Sequence, residues 1–134
     1  CYETSYYLYD SGAAPAMCES STLTLGRRVS TTAGGGTVQP LLDCVRTLAY
    51  RFGCINASGN LTWQNGTDCG TSKLRLMKIG MIIQASSRGG SSPERIDLFE
   101  DLGPAFVVAT TLTTAQRNYR WRKLEQTITL KNQE

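Results

Sequence analysis

Apolar residues along this chain recur mainly at every second position, the period of half-buried strands rather than of helices. Ser21 to Val29 (STLTLGRRV) alternates Leu23 and Leu25 with Thr, and Tyr6 to Tyr9 is a short aromatic run; both read as β. Gln39 to Cys54 (QPLLDCVRTLAYRFGC) enters beside a proline and ends beside a glycine. Its second half alternates Leu48, Tyr50 and Phe52 and reads as a strand, whereas Leu41 to Val45 allow a short helical turn leading into it. Lys73 to Ala85 (KLRLMKIGMIIQA) gives the clearest strand, expected at the centre of a sheet. Met77, Ile79, Met81 and Ile83 share one face there, with Lys78 opposite and Arg75 near the solvated start.

Between these strands the chain carries turn chemistry. Ile55 to Gly70 is an Asn- and Gly-rich excursion with an Asn65-Gly66 pair and a short strand around Leu61 to Trp63. The triplet Gly34 to Gly36 suits an exposed turn; no Lys-Ser/Thr follows it, so a phosphate cradle is a poor reading. Ser86 to Pro93 is a polar loop, and Gly103-Pro104 punctuates a later one. Thr113 to Lys123 has the composition of one short surface helix ending in Arg117, Arg120, Arg122 and Lys123, and Gln126 to Leu130 closes the chain as a strand. The expected architecture is α+β but mostly β: an antiparallel sheet with long loops and one short helix, in a single domain over 1–134.

Length and composition fit a chain that folds around one core, with 134 residues, 40% hydrophobic and 19% charged. Its net charge is +3 and no stretch gathers more than three or four positive charges with exposed aromatics between them, so nucleic-acid contact is not predicted. The longest apolar runs, near Ile79 to Ile83 and Ala105 to Ala109, fall far short of the roughly 18 residues that cross a bilayer. Opening at Cys1 without Met, the sequence reads as a processed or truncated product, whose precursor's signal or anchor stays out of view.

Five cysteines, Cys1, Cys18, Cys44, Cys54 and Cys69, none at CxxC spacing, point to disulfides and an oxidising compartment. Cys1 with Cys18 can close an N-terminal loop and Cys54 with Cys69 can clamp the polar excursion, although spacing does not choose among the pairings. Cys44 is the candidate for the unpaired sulfur.

Catalytic chemistry is thin. The chain has no histidine, which removes the commonest general base and metal ligand and every Ser-His or Cys-His nucleophile. Asp97, Glu100 and Asp101 form the densest acidic group, better explained as a solvated loop than as a glycosidase pair or a calcium loop. No catalytic residue, metal site or cofactor is predicted. Three sequons, at Asn56, Asn60 and Asn65, are what an Asn/Thr-rich turn produces, and acquire meaning only in a glycosylating pathway.

Three segments, Gln39 to Gly53 (QPLLDCVRTLAYRFG), Leu74 to Arg88 (LRLMKIGMIIQASSR) and Tyr119 to Gln133 (YRWRKLEQTITLKNQ), resemble in composition and order the globular region of PilW-type minor pilins of type IV pilus systems. They are similar, less closely, to type II secretion minor pseudopilins. The resemblance implies a pilin-like sheet held by an upstream apolar helix, first in the inner membrane and then in a filament, at the periplasm or cell surface. Its partners would be other pilin subunits, and its role priming or capping assembly. The loop Asn56 to Asn60 carries Asn and Ser where such proteins often have acids, so no cation site is transferred. Tyr6, Tyr7, Tyr9, Trp63 and Trp121 are the aromatics to test for such contacts, although each is better explained as core than as interface. The rival readings are a glycosylated surface binding domain and a lipoprotein acylated at Cys1.

Overall fold

The computed structural model describes residues 1–31, 35–86 and 91–131. Gly34 and half of the predicted Ser86 to Pro93 loop, 87–90, lie outside the described residues. The strands are β1 (Tyr2–Tyr9), β2 (Leu23–Thr31), β3 (Val38–Ile55), β4 (Leu61–Gln64), β5 (Lys73–Ser86), β6 (Arg95–Leu98), β7 (Val108–Thr111) and β8 (Arg120–Thr129). Six of them make one sheet in the order β1-β2-β3-β5-β8, with β4 paired to the end of β3. Every pairing in it is antiparallel. The mostly-β, disulfide-stabilised architecture expected from the pattern is therefore observed, with β5 inside the sheet between β3 and β8.

Two local expectations are corrected. Leu41 to Val45 form no helical turn, because β3 runs unbroken from Val38 to Ile55. What disturbs the alternation is Cys44, whose φ of 60° is left-handed, beside register shifts against β2 and a bulge between Val45 and Thr47 against β5. Thr113 to Lys123 form no α-helix either. Gln116–Asn118 make a single 3-10 turn, closed where the Thr113 N–H donates to the Gln116 amide oxygen at 2.9 Å. Tyr119 is already extended, and β8 then buries Trp121 between exposed Arg120 and Arg122 in period two.

One face of the sheet is covered. β6 and β7 pair with each other and pack over the side bearing Lys78, Gly80 and Ile82 of β5 and Thr47, Ala49 and Arg51 of β3. Ile82, Leu98, Phe99, Leu112 and Trp121 form the buried cluster there, with Ile96, Leu102, Val108 and Tyr119 around it. Fully burying side chains of this size stabilises by about 1.5–3 kcal/mol each. Contact is closest at Gly80, where an added Cβ would sit 2.8 Å from the Phe99 ring. Phe99 itself is fully buried with a left-handed φ of 65°, and its N–H donates to the Glu125 carboxylate at 2.7 Å. The Arg51 guanidinium lies 5.3 Å above the same ring, its Nε donating to the Phe106 carbonyl.

Two disulfides hold the periphery. Cys54–Cys69 clamps the polar excursion, as one of the possible pairings had it. Cys18, however, joins Cys44, so the odd sulfur is the exposed Cys1 and not Cys44. The reason is topological: β1 carries Cys1 to the sheet's outer edge, whereas the 10–22 connection returns across β3. There Gln84 accepts from the Glu19 N–H and donates to the Met17 carbonyl, fixing Cys18 beside Cys44 at a Cα separation of 5.1 Å. Paired cysteines of this kind belong to a domain matured outside the cytoplasm.

Candidate functional site

The alternating apolar set that marks β5 as a strand is the less covered side of it. Lys78, Gly80, Ile82 and Gln84 are buried, whereas Met77, Ile79, Met81 and Ile83 are only half-buried. Strand pairing aligns these four with apolar neighbours: Phe52 opposite Met77, Tyr50 opposite Ile79 and Leu48 opposite Met81 on β3, and Ile128 and Leu124 opposite Met77 and Met81 on β8. Cross-strand partners share a face, so one continuous apolar surface spans the sheet.

This surface is concave. A cavity of about 590 Å³ opens on it, lined by Leu48, Tyr50, Phe52, Met77, Ile79 and Met81 at the floor, Thr4, Tyr6 and Leu25 on one wall and Ile128 on the other. Both edge strands thus contribute to one hollow, which a flat five-strand path would not allow. The curl is also visible where the Tyr50 hydroxyl reaches the Tyr6 carbonyl, 3.5 Å away, across the intervening β2. Burial, and then the neighbouring Tyr6, raise the Tyr50 phenol above its ordinary 10.0, consistent with a dry floor. At the rim Tyr6 and Leu124 remain 49% exposed and Ile128 38%. A contiguous apolar surface left open to this extent is the mark of a docking face rather than of a finished core.

Charge divides the two faces. On the covered side Asp101 pairs with Lys78, Asp97 with Arg95, and Glu100 with Lys123 at 3.3 Å, while Glu125 lies 4.0 Å from Lys78. The Lys78 ammonium, chiefly through its hydrogen bond, holds the Asp101 carboxyl below its ordinary value. Asp101 and Glu100, just after β6, thus form a latch to β5 and β8, whereas the Arg95–Asp97 pair lies within β6 itself. On the trough side the charged strand residues include Arg27, opposite Tyr6, Arg122, opposite Ile83, and Arg75, in phase with Met77 on β5. Among the described residues none of these has a carboxylate ion-pair partner, and Arg27 donates to the Gln39 amide oxygen at 3.4 Å.

The aromatics singled out from sequence are dispersed. Tyr6 lines the trough. Tyr7 and Tyr9, one residue out of phase with it, point the other way with their rings 6.1 Å apart. Trp63 sits half-buried on β4 over Gly53. Trp121 belongs to the core, 8% exposed, its indole N–H donating to the Gln116 carbonyl at 2.8 Å, and offers nothing to a partner. The floor residues were visible in sequence as separate alternating sets; their union needed the β3–β5–β8 register. The sequon asparagines Asn56, Asn60 and Asn65 are all exposed, and the Asn56 side-chain oxygen accepts from the Ser58 and Asn60 N–H groups at 2.9 Å in the β3–β4 turn. Among the described residues no three of His, Cys, Asp and Glu gather as a metal site, and no helix is long and apolar enough to cross a membrane.

No family model, curated protein or solved structure matches this chain.

Proposed function

We propose that this domain is a non-catalytic subunit module of the minor pilin or pseudopilin kind, recognising other subunits through the trough on its open sheet face. One observation carries the reading. An antiparallel sheet that covers one face with its own chain and leaves a concave, predominantly apolar surface on the other has the form of half of a two-layer structure. A helix about 10 Å across is the element such a curled hollow accommodates. The segments resembling minor pilins supply β3, β5 and β8, the strands that make the floor and one wall. Paired cysteines agree with maturation in an oxidising compartment such as the periplasm.

The work expected of the domain is assembly: a pilin-type subunit presents an apolar helix, the trough receives it, and the filament is primed or capped. Intact mass and N-terminal sequencing of the native protein, extracted from membranes of its source, test the reading. The expected chain continues upstream of Cys1 into an apolar helix of about 20 residues. A native chain that begins at Cys1, lipidated or bare, overturns the pilin assignment. The exposed sequon residues Asn56, Asn60 and Asn65 favour one rival, a glycosylated surface binding domain; glycan mass on any of them would replace the pilus reading with that one.

A further inference from the structure

The Asn65-Gly66 pair is a piece of turn chemistry for which the docking face has no use. It follows β4, whose last residue Gln64 is paired with Phe52, and it precedes Cys69, which is joined to Cys54. Residues 65–68 thus bridge two anchored points, and all of them are exposed. We infer that Asn65 is a site of spontaneous covalent modification, at which the Gly66 nitrogen displaces the side-chain amide and leaves aspartate and isoaspartate on this loop.

The chemistry is an intramolecular acyl transfer, and asparagine is among the chemically labile side chains. The Gly66 nitrogen forms a bond to the Asn65 Cγ, the Cγ–Nδ2 bond breaks, and ammonia leaves with the proton that the Gly66 nitrogen gives up. A five-membered succinimide results. Water then cleaves the ring at one of its two carbonyls. Cleavage between nitrogen and Cγ restores the ordinary backbone with an aspartate. Cleavage between nitrogen and the backbone carbonyl carbon leaves the chain running through Cγ, as isoaspartate. One water is consumed and one ammonia released, with no oxidant or reductant.

Reaching the near-attack position requires a mobile nitrogen and an unheld amide. Both are present. Gly66 has no side chain in the way, and an added Cβ there would find nothing within 4 Å. Among the described residues no hydrogen bond engages the Asn65 carboxamide or the Gly66 N–H. The carboxylate of Asp68, three residues on, is turned to the Gly70 N–H at 2.8 Å.

The other asparagines among the described residues lack this combination. The Asn56 side-chain oxygen is held by the Ser58 and Asn60 N–H groups at 2.9 Å, and Ala57 follows it. Asn60 is followed by Leu61, which is fixed in β4 opposite Ile55. After Asn118, the Tyr119 N–H is spent on the Gln116 carbonyl at 3.1 Å. A nitrogen held in a strand or a turn cannot approach the preceding Cγ without breaking that structure. Selectivity for Asn65 therefore comes from the fold as well as from the dipeptide.

The product suits the fold. A carboxylate at 65 takes one unit from the net charge of +3 and erases the Asn65-Gly66-Thr67 sequon. The extra backbone atom of isoaspartate is taken up between Gln64 and Cys69, where residues 65–68 face solvent. Aged and fresh molecules then differ at this loop and not in the sheet.

The test incubates the 1–134 chain under mildly alkaline conditions in heavy-oxygen water and maps its peptides by mass spectrometry. The expected result is conversion at Asn65, with Asn56, Asn60 and Asn118 intact, into two separable products that each carry one heavy oxygen. An isoaspartyl methyltransferase with S-adenosylmethionine labels one product and not the other. Gly66→Ala, shown to be folded by its melting curve, slows the conversion by about tenfold or more. The native chain reacts within a few-fold of the urea-unfolded chain, because the loop gives no protection. Conversion spread evenly over the four asparagines, a native rate more than about tenfold below the unfolded one, or a Gly66→Ala chain that reacts as fast as its parent would each overturn the inference.

Discussion

Replacing Gly80 by alanine tests why one face is covered and the other open. The new Cβ meets Cε1 and Cζ of Phe99 at 2.8 Å and Cδ1 of Leu98 at 3.1 Å, closer than side-chain carbons approach. Phe99 has little room to retreat: it is fully buried, its N–H is held by Glu125, and Arg51 lies over its ring. Overpacking in such a place costs typically 1–3 kcal/mol, and the rigidity of this ring argues for the upper half of that range. Urea denaturation followed by tryptophan fluorescence reads it as a fall in the midpoint at constant slope. Gly66→Ala is the control, since nothing lies within 4 Å of its added Cβ, and its effect should stay within about 0.5 kcal/mol. Because the clash is with one ring, Phe99→Leu should relieve it, and the double variant should be more stable than the sum of the singles by at least about 0.5 kcal/mol. A silent Gly80→Ala, or strict additivity with Phe99→Leu, would refute the packing of the β6–β7 layer on this face.

Further expectations follow from the same contacts. Removing Cys18–Cys44 or Cys54–Cys69 as a Ser pair should cost about 3 kcal/mol each, given loops of 26 and 15 residues, while Cys1→Ser is neutral. Thiol titration of the unfolded, unreduced chain should find one reactive sulfur, and finding three or five would refute the pairing. Lys78→Met should be neutral or mildly stabilising, because the lysine is only 7% exposed and its principal partner Asp101 can return to water. A large loss in chemical denaturation would show the latch to depend on that charge. Leu124→Lys should leave the melting temperature nearly unchanged, the side chain being 49% exposed, yet lower recovery of the domain in its native assembly, as read by co-purification from source membranes. Burial acts to raise the Glu19 carboxyl, but hydrogen bonds from the Ser21 hydroxyl and N–H and from Ser20 outweigh it and hold it below its ordinary 4.5. A depressed carboxyl stabilises fully above 4.5 and loses that contribution as pH falls through its folded value. Glu19→Gln should therefore flatten part of the acid side of the stability profile, and an unchanged profile would assign the acid sensitivity elsewhere.

The strands with clean alternation were legible in sequence. β5, the Leu23–Leu25 part of β2, the Leu48–Phe52 part of β3 and the short β4 are all visible as period-two sets, because each has one more apolar side than the other. β3 as a single strand was not, since the left-handed Cys44 and the adjacent bulge shift the phase in its first half. The stretch from Thr113 misleads for a different reason: charged residues around Trp121 look like a solvated helix, and only packing under β7 shows Trp121 to be a core residue on an edge strand. Least legible was the choice of buried face. On β5 the apolar residues occupy the open side, and Lys78 and Gly80 the covered one. That inversion depends on where Leu98 and Phe99 land, a long-range contact with no local signature. The cysteine partners were hidden likewise, since the 10–22 connection decides them. The trough was present in fragments, as Leu48-Tyr50-Phe52 and Met77-Ile79-Met81, but its continuity is a property of register.

Hydroxyl-radical footprinting of the three methionines tests the central claim most directly. Met77 and Met81 line the trough, and Met17, 61% exposed in the 10–22 connection, is an internal reference outside it. In the isolated domain all three should oxidise. In the native assembly from the source membranes, Met77 and Met81 should become protected several-fold relative to Met17, because a helix covers them. Equal oxidation of Met77 and Met81 in the isolated and assembled states would contradict the account, leaving the open apolar face without a role in subunit recognition.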